Sequence, residues 1–358
     1  MAVAMRQLLE EMVQRNSSDL HLTTGAPPMF RIDGELVPTN YEIMTPEIIQ
    51  NLIYSVLNDQ QKKKFEMEWE LDFSFGIAGL SRFRGNCFQQ RGSGAVAIRT
   101  IPFEIRGFKE LGVPNVVEQL AKRPKGLILL TGPTGCGKST TLAALVDRVN
   151  NERRCHIITV EDPIEYLFRH KKAIVNQRQL GSDTKSFNNA LKYVLREDPD
   201  VVMVGEMRDP ETIGTTLTIA ETGHLTLATL HTNSAAESIH RMIDVFPPYQ
   251  QGQVRSQLAF VVEGVLTQQL LPKIGGGRVL AAEVMVGTPA IRALIRDARE
   301  HQIYSAIQTG QKYGMQTMNQ SLYTLYSKRL ITLETAFDYS PNIEEFEHMV
   351  EQKSAVLK

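Results

Sequence analysis

Nine consecutive residues, Gly132, Pro133, Thr134, Gly135, Cys136, Gly137, Lys138, Ser139 and Thr140, have the types and spacing that a triphosphate requires. Glycine tolerates positive φ and has no Cβ, so backbone N–H groups can close on phosphate oxygens. A helix that opens at the same point directs its positive end toward that anion. Lys138 then reaches the β- and γ-phosphates, and the Ser139 hydroxyl can ligate Mg²⁺. The pattern GxxxxGK[ST] has meaning only between a strand and a helix. Here the apolar run 126–131 precedes it and the helix-forming run 141–149 follows it.

Carboxylates stand at the ends of two later strands. The run 156–160 ends in Glu161, Asp162 and Glu165, at the edge where ligands lie in open α/β sheets. These acids can hold Mg²⁺ through water or orient an attacking water, and a charged cap on a loop is the plain alternative. The run Val201 to Val204 ends in Gly205 and Glu206. Glu206 can coordinate Mg²⁺ through water or take a proton from the attacking water. A third run, 225–230, lies between His224 and His231. Alternate side chains of a strand face opposite sides, so the two histidines do different jobs. His231, at the carboxyl end, can report whether the terminal phosphate is present. Neither histidine has the spacing of a metal pair. Cys136, beside Lys138 at a helix start, is expected to have a lowered thiol pKa and some sensitivity to oxidation.

A parallel sheet must bring these ends together. Strands are predicted at 126–131, 156–160, 201–204, 225–230 and 280–286, with helices between them, and residues from 288 onward read as helical. Upstream, a short amphipathic helix over residues 4–15 gives way to alternating runs at 19–22, 29–32 and 35–37, the latter two joined by Asp33 and Gly34. Helices at 46–57 and 60–68 and strands at 71–75, 80–89 and 95–101 complete a small α+β domain over residues 1–105. Prolines and glycines between 102 and 125 mark a linker plus a short helix, with 106–116 the linker and proposed hinge. The α/β core is then 117–287 and the helical region 288–358.

Lys plus Arg number 39 and Asp plus Glu 40, so no bulk field draws in nucleic acid or anionic lipid. Three scattered cysteines form neither a disulfide scaffold nor a zinc site, which fits a reducing, cytoplasmic compartment. The start of the chain does not read as a signal peptide, and no run reaches the roughly 18 apolar residues of a membrane span. Membrane association would therefore come through a partner and without direct insertion.

The phosphate loop, the acidic box 161–165, Gly205–Glu206 and the box from Gly223 to His231 occur in the order seen in the secretion-superfamily ATPases, which this chain resembles over nearly its whole length. Gln177–Arg178, Glu206 to Asp209, Ala220 to His224 and Ala228 to Asn233 match as well. The resemblance implies an α/β fold, a RecA-like P-loop NTPase domain with a parallel-rich sheet, preceded by a PAS-like α+β domain and followed by helices. It also implies a homohexamer that hydrolyses ATP with Mg²⁺. Within the superfamily the chain is similar to the motors of type IV pilus retraction, because it lacks the extra amino-terminal domain and tetracysteine site usual in assembly and secretion motors.

Residues Ala290 to Arg299 resemble the AIRNLIRE box associated with retraction, with Ala293 in place of Asn and Asp297 in place of Glu. By spacing alone, Ile291, Leu294, Ile295 and Ala298 share one helical face, while Arg292, Arg296 and Arg299 form a basic, solvated one. The family also uses arginines of the amino-terminal domain at a neighbour's nucleotide. Arg82, Arg84 and Arg99 are the candidates here. The implied partners are an inner-membrane pilus platform protein and other pilus ATPases, with the motor peripheral at the inner membrane. Assembly or type II secretion ATPases of the superfamily are the alternative. A RecA-like nucleic-acid motor would need basic loops with stacking aromatics, and a GTP switch would need an NKxD-type run; neither stands out.

Overall fold

The computed structural model describes residues 3–32, 34–101 and 104–356; Asp33 of the expected hairpin and Pro102 lie outside the described residues. The chain divides into two compact units, Met1–Glu104 and Ile105–Lys358.

In the first unit, α1 (Met5–Gln14), β1 (Asp19–Leu22), β2 (Met29–Ile32), β3 (Glu35–Pro38), α2 (Pro46–Tyr54), α3 (Asp59–Glu68), β4 (Glu70–Ile77), β5 (Ser81–Gln90) and β6 (Ser93–Ile101) follow one another. The strands form a six-stranded antiparallel sheet in the order β3-β2-β1-β6-β5-β4. Alternation sends Leu20, Leu22, Phe30, Phe83 and Ile98 to one face, where they pack with Leu8, Leu9 and Met12 of α1 and with Ile49 and Ile53 of α2. The opposite face carries a registered row of Arg31, Asp19, Arg99 and Arg84, one residue from each of four neighbouring strands.

The second unit begins with α4 (Phe108–Leu111), α5 (Asn115–Ala121), β7 (Gly126–Thr131), α6 (Lys138–Glu152), β8 (His156–Glu161), β9 (Ile174–Gln179), α7 (Phe187–Val194), β10 (Val201–Val204), α8 (Pro210–Glu221) and β11 (Leu225–Leu230). It continues with α9 (Ala235–Asp244), α10 (Pro248–Val261), β12 (Val262–Pro272), β13 (Arg278–Val286), α11 (Pro289–Arg296), α12 (Ile303–Gln308), α13 (Met318–Ser327), α14 (Leu333–Asp338) and α15 (Ile343–Val356). The sheet has seven strands in the order β13-β12-β7-β11-β10-β8-β9. All neighbours are parallel except the β12–β13 pair.

Every residue of β7, β10 and β11 is buried, as expected of parallel strands covered on both faces. One cover is built from α7 to α12, the other from α4, α5 and α6. The last three helices close a smaller core around Leu271, Ala281, Leu322 and Phe346.

Two strands were not expected from the pattern. β9 is the polar edge of the sheet, and β12 starts at the residue after α10 ends, with no turn between them. The stretch 106–116 also differs from a linker. It holds α4, and Phe108 and Val113 are buried with Val117 and Leu120 in the second unit, because its apolar residues outweigh its helix-breaking ones.

The AIRNLIRE-like box forms α11 with Ile291 and Ile295 fully buried. Arg292 does not join a solvated face. Its guanidinium donates to the carbonyls of Gly287, Ala259 and Phe260 and to Glu263 Oε1 at 2.7 Å. It therefore caps the carboxyl end of α10, where positive charge is favoured.

Candidate active site

Parallel register aligns the functional ends. Thr131 of β7 pairs with Leu230 of β11, Ala228 with Val204 of β10, and Val204 with Val160 of β8. Gly132, His231, Gly205 and Glu161 therefore emerge on one rim of the sheet.

The phosphate loop leaves β7 at Gly132, whose φ is +134° and whose notional Cβ would meet Gln268 O at 2.4 Å. No side chain fits there. Gly137, at φ +90°, is the N-cap of α6 and starts a helix whose first turn holds Lys138, Ser139 and Thr140. The Lys138 ammonium donates to the carbonyls of Gly132 at 2.6 Å and Pro133 at 3.0 Å. Burial pulls its pKa down, while the charge of Glu206 pulls it up. Ser139 is exposed, and the Thr140 hydroxyl lies 2.8 Å from that of Tyr166, which ties the loop to the acidic segment.

Glu206 follows β10 directly. Its Oε2 accepts from Arg208 at 2.8 Å and its Oε1 lies 3.2 Å from His231 Nε2. Burial would raise its pKa, but Arg208 and then His231 hold the carboxyl below its ordinary value. Arg208 itself is held charged by Glu206 and by the more distant Asp162. The result is a charged, partly exposed carboxylate between two cationic or hydrogen-bonding groups.

The acidic box splits in two. Asp162 and Glu165 are exposed at the rim. Glu161 is 4% exposed and accepts from the Thr159 hydroxyl at 2.6 Å, from Gln177 Nε2 at 3.1 Å and from the Glu165 amide. Burial pushes its pKa up. An enclosed, hydrogen-bonded carboxylate does not suit the open metal ligation expected of it; its surroundings make it an anchor for the box. Gln177 completes that anchor by also bonding the Tyr166 carbonyl and the Phe168 amide.

Other expected residues fall as follows. His224 is at the far end of β11, with Nδ1 against Ile219 O at 3.0 Å, and so belongs to the opposite rim. Cys136 is 3% exposed, and burial raises its thiol pKa more than Lys138 lowers it; the expected activation is reversed. In the first unit, Arg99 is paired with Asp19 at 2.8 Å and Arg82 donates to Ser74 at 3.1 Å. Arg84 has no hydrogen bond or ion pair among the described residues. Sequence reasoning gave no role to Arg208, Tyr166 or Gln177. Only Arg208 had a local signal, its position two residues after Glu206.

Beside the loop opens a cavity of about 490 Å³, bordered by residues 133–136, Asn233, Gln269, Leu270, Met318 and Tyr339. The side-chain oxygen of Gln269 is buried without a partner among the described residues. The profile of the family described as Type II/IV secretion system protein matches residues 2–336. The chain belongs to that family. It is a P-loop ATPase of the Type II/IV secretion system group. It is 50% identical over 341 residues to the Type IV pilus retractation ATPase PilT of Pseudomonas aeruginosa, covering 95% of this chain and 99% of that one. It is 46% identical to a twitching motility protein of Neisseria gonorrhoeae, over 88% and 85% of the two chains. Among solved structures, the pilus retraction motor PilT with bound ADP superposes with a TM-score of 0.92 at 52% identity, over 97% of this chain and 99% of that one. The ATPase DotB of Legionella pneumophila, at 24% identity and TM-score 0.78, shares the fold.

Proposed function

We propose that this chain is the ATP-hydrolysing motor of type IV pilus retraction, working as a homohexamer. The observation that carries the reading is the shared rim. Lys138 on the phosphate loop and the Glu206–His231–Arg208 cluster face one place, in a chain half identical to a pilus retraction ATPase over nearly all of both sequences.

Backbone amides of residues 135–140 and the Lys138 ammonium receive the β- and γ-phosphates, and the cavity beside the loop receives the nucleoside. Its position away from Glu206, on the β12 side of the loop, leaves the γ-phosphate at the acidic rim. The exposed Ser139 hydroxyl and the Glu206 and Asp162 carboxylates at the rim are the groups that would hold Mg²⁺, which would supply positive charge to the phosphates. Glu206 orients the attacking water, and its low pKa favours positioning and late proton acceptance over early abstraction. Glu165 is placed to support it. His231, hydrogen-bonded to Glu206, senses the γ-phosphate. Arg84, with Arg82 and Arg99 beside it, serves a neighbouring subunit's nucleotide. Hydrolysis then drives relative motion of the two units, about a joint that precedes Phe108. Among the described residues no helix is long and apolar enough to cross a membrane. In this reading the motor acts from the cytoplasmic side on an inner-membrane platform protein, alongside other pilus ATPases, without binding nucleic acid.

The test is complementation of cells that lack their retraction ATPase. The chain should restore twitching and reduce surface pili, and Lys138→Ala should leave cells piliated and immobile. Cells that instead gain pili under expression of the chain would point to an assembly motor.

A further inference from the structure

We propose that Glu283 is a positioning residue for ATP turnover: its carboxylate fixes the start of α9, and with it the loop that carries His231, to both the sheet and α13. The inference rests on the motor reading above. Glu283 lies on β13, opposite Thr267 of β12, and is 3% exposed. Its Oε1 accepts from the Ala235 amide at 2.7 Å, and it also accepts from the backbone amide of Met318. Ala235 and Met318 are the first residues of α9 and α13. One carboxyl group therefore accepts at two helix amino termini, whose first amides have no partner within the helix.

What makes this tie functional is the segment that it holds. β11 ends at Leu230 and α9 begins at Ala235, so only four residues, starting with His231, lie between the sheet and the fixed amide. Within them, the Thr232 hydroxyl is 2.6 Å from that of Ser238 and the Asn233 amide donates to Glu237 at 2.7 Å. Loop and helix move as one piece. The ordinary N-cap is already in place, since Ser234 accepts from the Glu237 amide. Glu283 adds the tie to another strand, without which α9 can shift and carry His231 away from Glu206. Asn233, two residues before Ala235, and Met318, which carries the second fixed amide, both border the cavity beside the phosphate loop. Behind Met318, Asn319 and Tyr304 donate to Glu345 of α15, which extends the anchorage into the last helices.

The experiment compares Glu283→Ala, Glu283→Gln and Glu283→Asp with the intact chain, reading kcat and KM for ATP together with amide exchange over residues 232–237. Misplacing a reacting group by about an ångström costs rate more than binding. In Glu283→Ala, kcat should fall about tenfold or more while KM stays within about threefold. Glu283→Gln, whose amide oxygen still accepts from Ala235, should keep about half the turnover or better. A folded Ala variant with unchanged kcat, or equal losses in Gln and Ala, overturns the proposal. If the Ala variant does not fold, Glu283→Asp decides: it keeps the carboxyl group but falls one methylene short, and unchanged kcat there also overturns it. Should the intact chain hydrolyse no ATP, the motor reading fails separately. Amide exchange then decides, because exchange at Ala235 must still speed up in the Ala or Asp variant.

Discussion

His231 Nε2 lies 3.2 Å from Glu206 Oε1, and Arg208 holds the other oxygen of the same carboxylate at 2.8 Å. Glu206 and His231 follow neighbouring parallel strands, β10 and β11, so their contact depends on strand register together with the loops that leave the strand ends. A one-residue slip would turn either side chain to the other face. The contact also gives Glu206 a direction: one oxygen faces a group able to sense phosphate, the other is held by a permanent cation.

Removing the charge of Glu206 while keeping its shape tests its role. Glu206→Gln should bind ATP with near-normal affinity and lose about 10²- to 10³-fold in kcat, within the range for removal of a positioned acid–base group. Nucleotide titration and single-turnover hydrolysis give the two halves of the result. Loss of binding in a folded variant would make holding the metal, rather than orienting the water, the main role of Glu206.

Arg208 should set the acid limb of the pH–rate profile. A carboxyl held below its ordinary value of 4.5 keeps its charge as pH falls to that value. The stability its charge confers is present above 4.5 and is lost only as pH drops through the lowered value. In Arg208→Ala the largest group opposing burial is lost, leaving His231 and the more distant charge of Lys138, so the pKa of Glu206 rises. The acid limb of kcat should then move to higher pH, and an unmoved limb would count against the pairing as a control on catalysis.

Gly132→Ala tests the geometry of the phosphate loop separately from its charges. The added methyl would sit 2.4 Å from Gln268 O at a φ of +134°, so the loop must leave β12 to accept it. ATP affinity should fall by about 100-fold or more, as for other substitutions that force backbone out of a close approach, with the thermal midpoint lowered by only a few degrees. Unchanged affinity would mean that the loop binds phosphate in another conformation.

The residues that could be read ahead of the structure are those whose neighbours in sequence are also their neighbours in space. β7, β10 and β11 are buried throughout and mostly apolar because both faces are covered, so their ends, and with them Lys138, Glu206 and His231, could be placed. β9 reads as Ile-Val-Asn-Gln-Arg-Gln because it is an edge, and no periodicity marks it. In β12, Gln268 is fully buried and donates to the Thr141 hydroxyl at 2.8 Å, so a polar core residue disguised the strand. Arg292 fits a basic stripe by spacing, yet it caps a helix more than thirty residues away. Partnerships of that range, Glu283 with Ala235 included, leave no local pattern.

Burial of Cys136 yields a prediction about reagents. Cys87 is fully buried with its thiol pushed up to about 12, and Cys136 is 3% exposed and also raised. Cys155 is half-buried. Burial raises the Cys155 thiol as well, against the charge of Arg153, so a small thiol reagent at neutral pH should modify one cysteine per chain ahead of the other two by virtue of access, and Cys155→Ser should remove that phase. Since the thiolate is the nucleophile, a raised pKa slows reaction even where access is given. Rapid modification of Cys136 in the folded protein would contradict its burial.

The three candidate arginines of the first unit should separate by what already holds them. Arg99 is committed to Asp19, whose carboxyl is held below its usual range by Arg99 and Ser18 against the opposing effect of burial. Arg82 donates to Ser74, while Arg84 is unpaired among the described residues and shares a face with Arg82 and Arg99. An arginine that must reach a neighbour's phosphates cannot be costly to release, so Arg84 is the strongest candidate. Each of Arg84→Ala and Lys138→Ala should lose most turnover alone. In a random equal mixture about a quarter of interfaces would join an intact Lys138 to an intact Arg84, as expected for a closed ring with heterologous contacts, and turnover should recover to about that fraction. Mixing Arg99→Ala with Lys138→Ala should give no such gain, because Arg99→Ala lowers the stability of its own unit more than it alters the neighbour's site. Recovery with Arg99 and none with Arg84 would reverse the assignment.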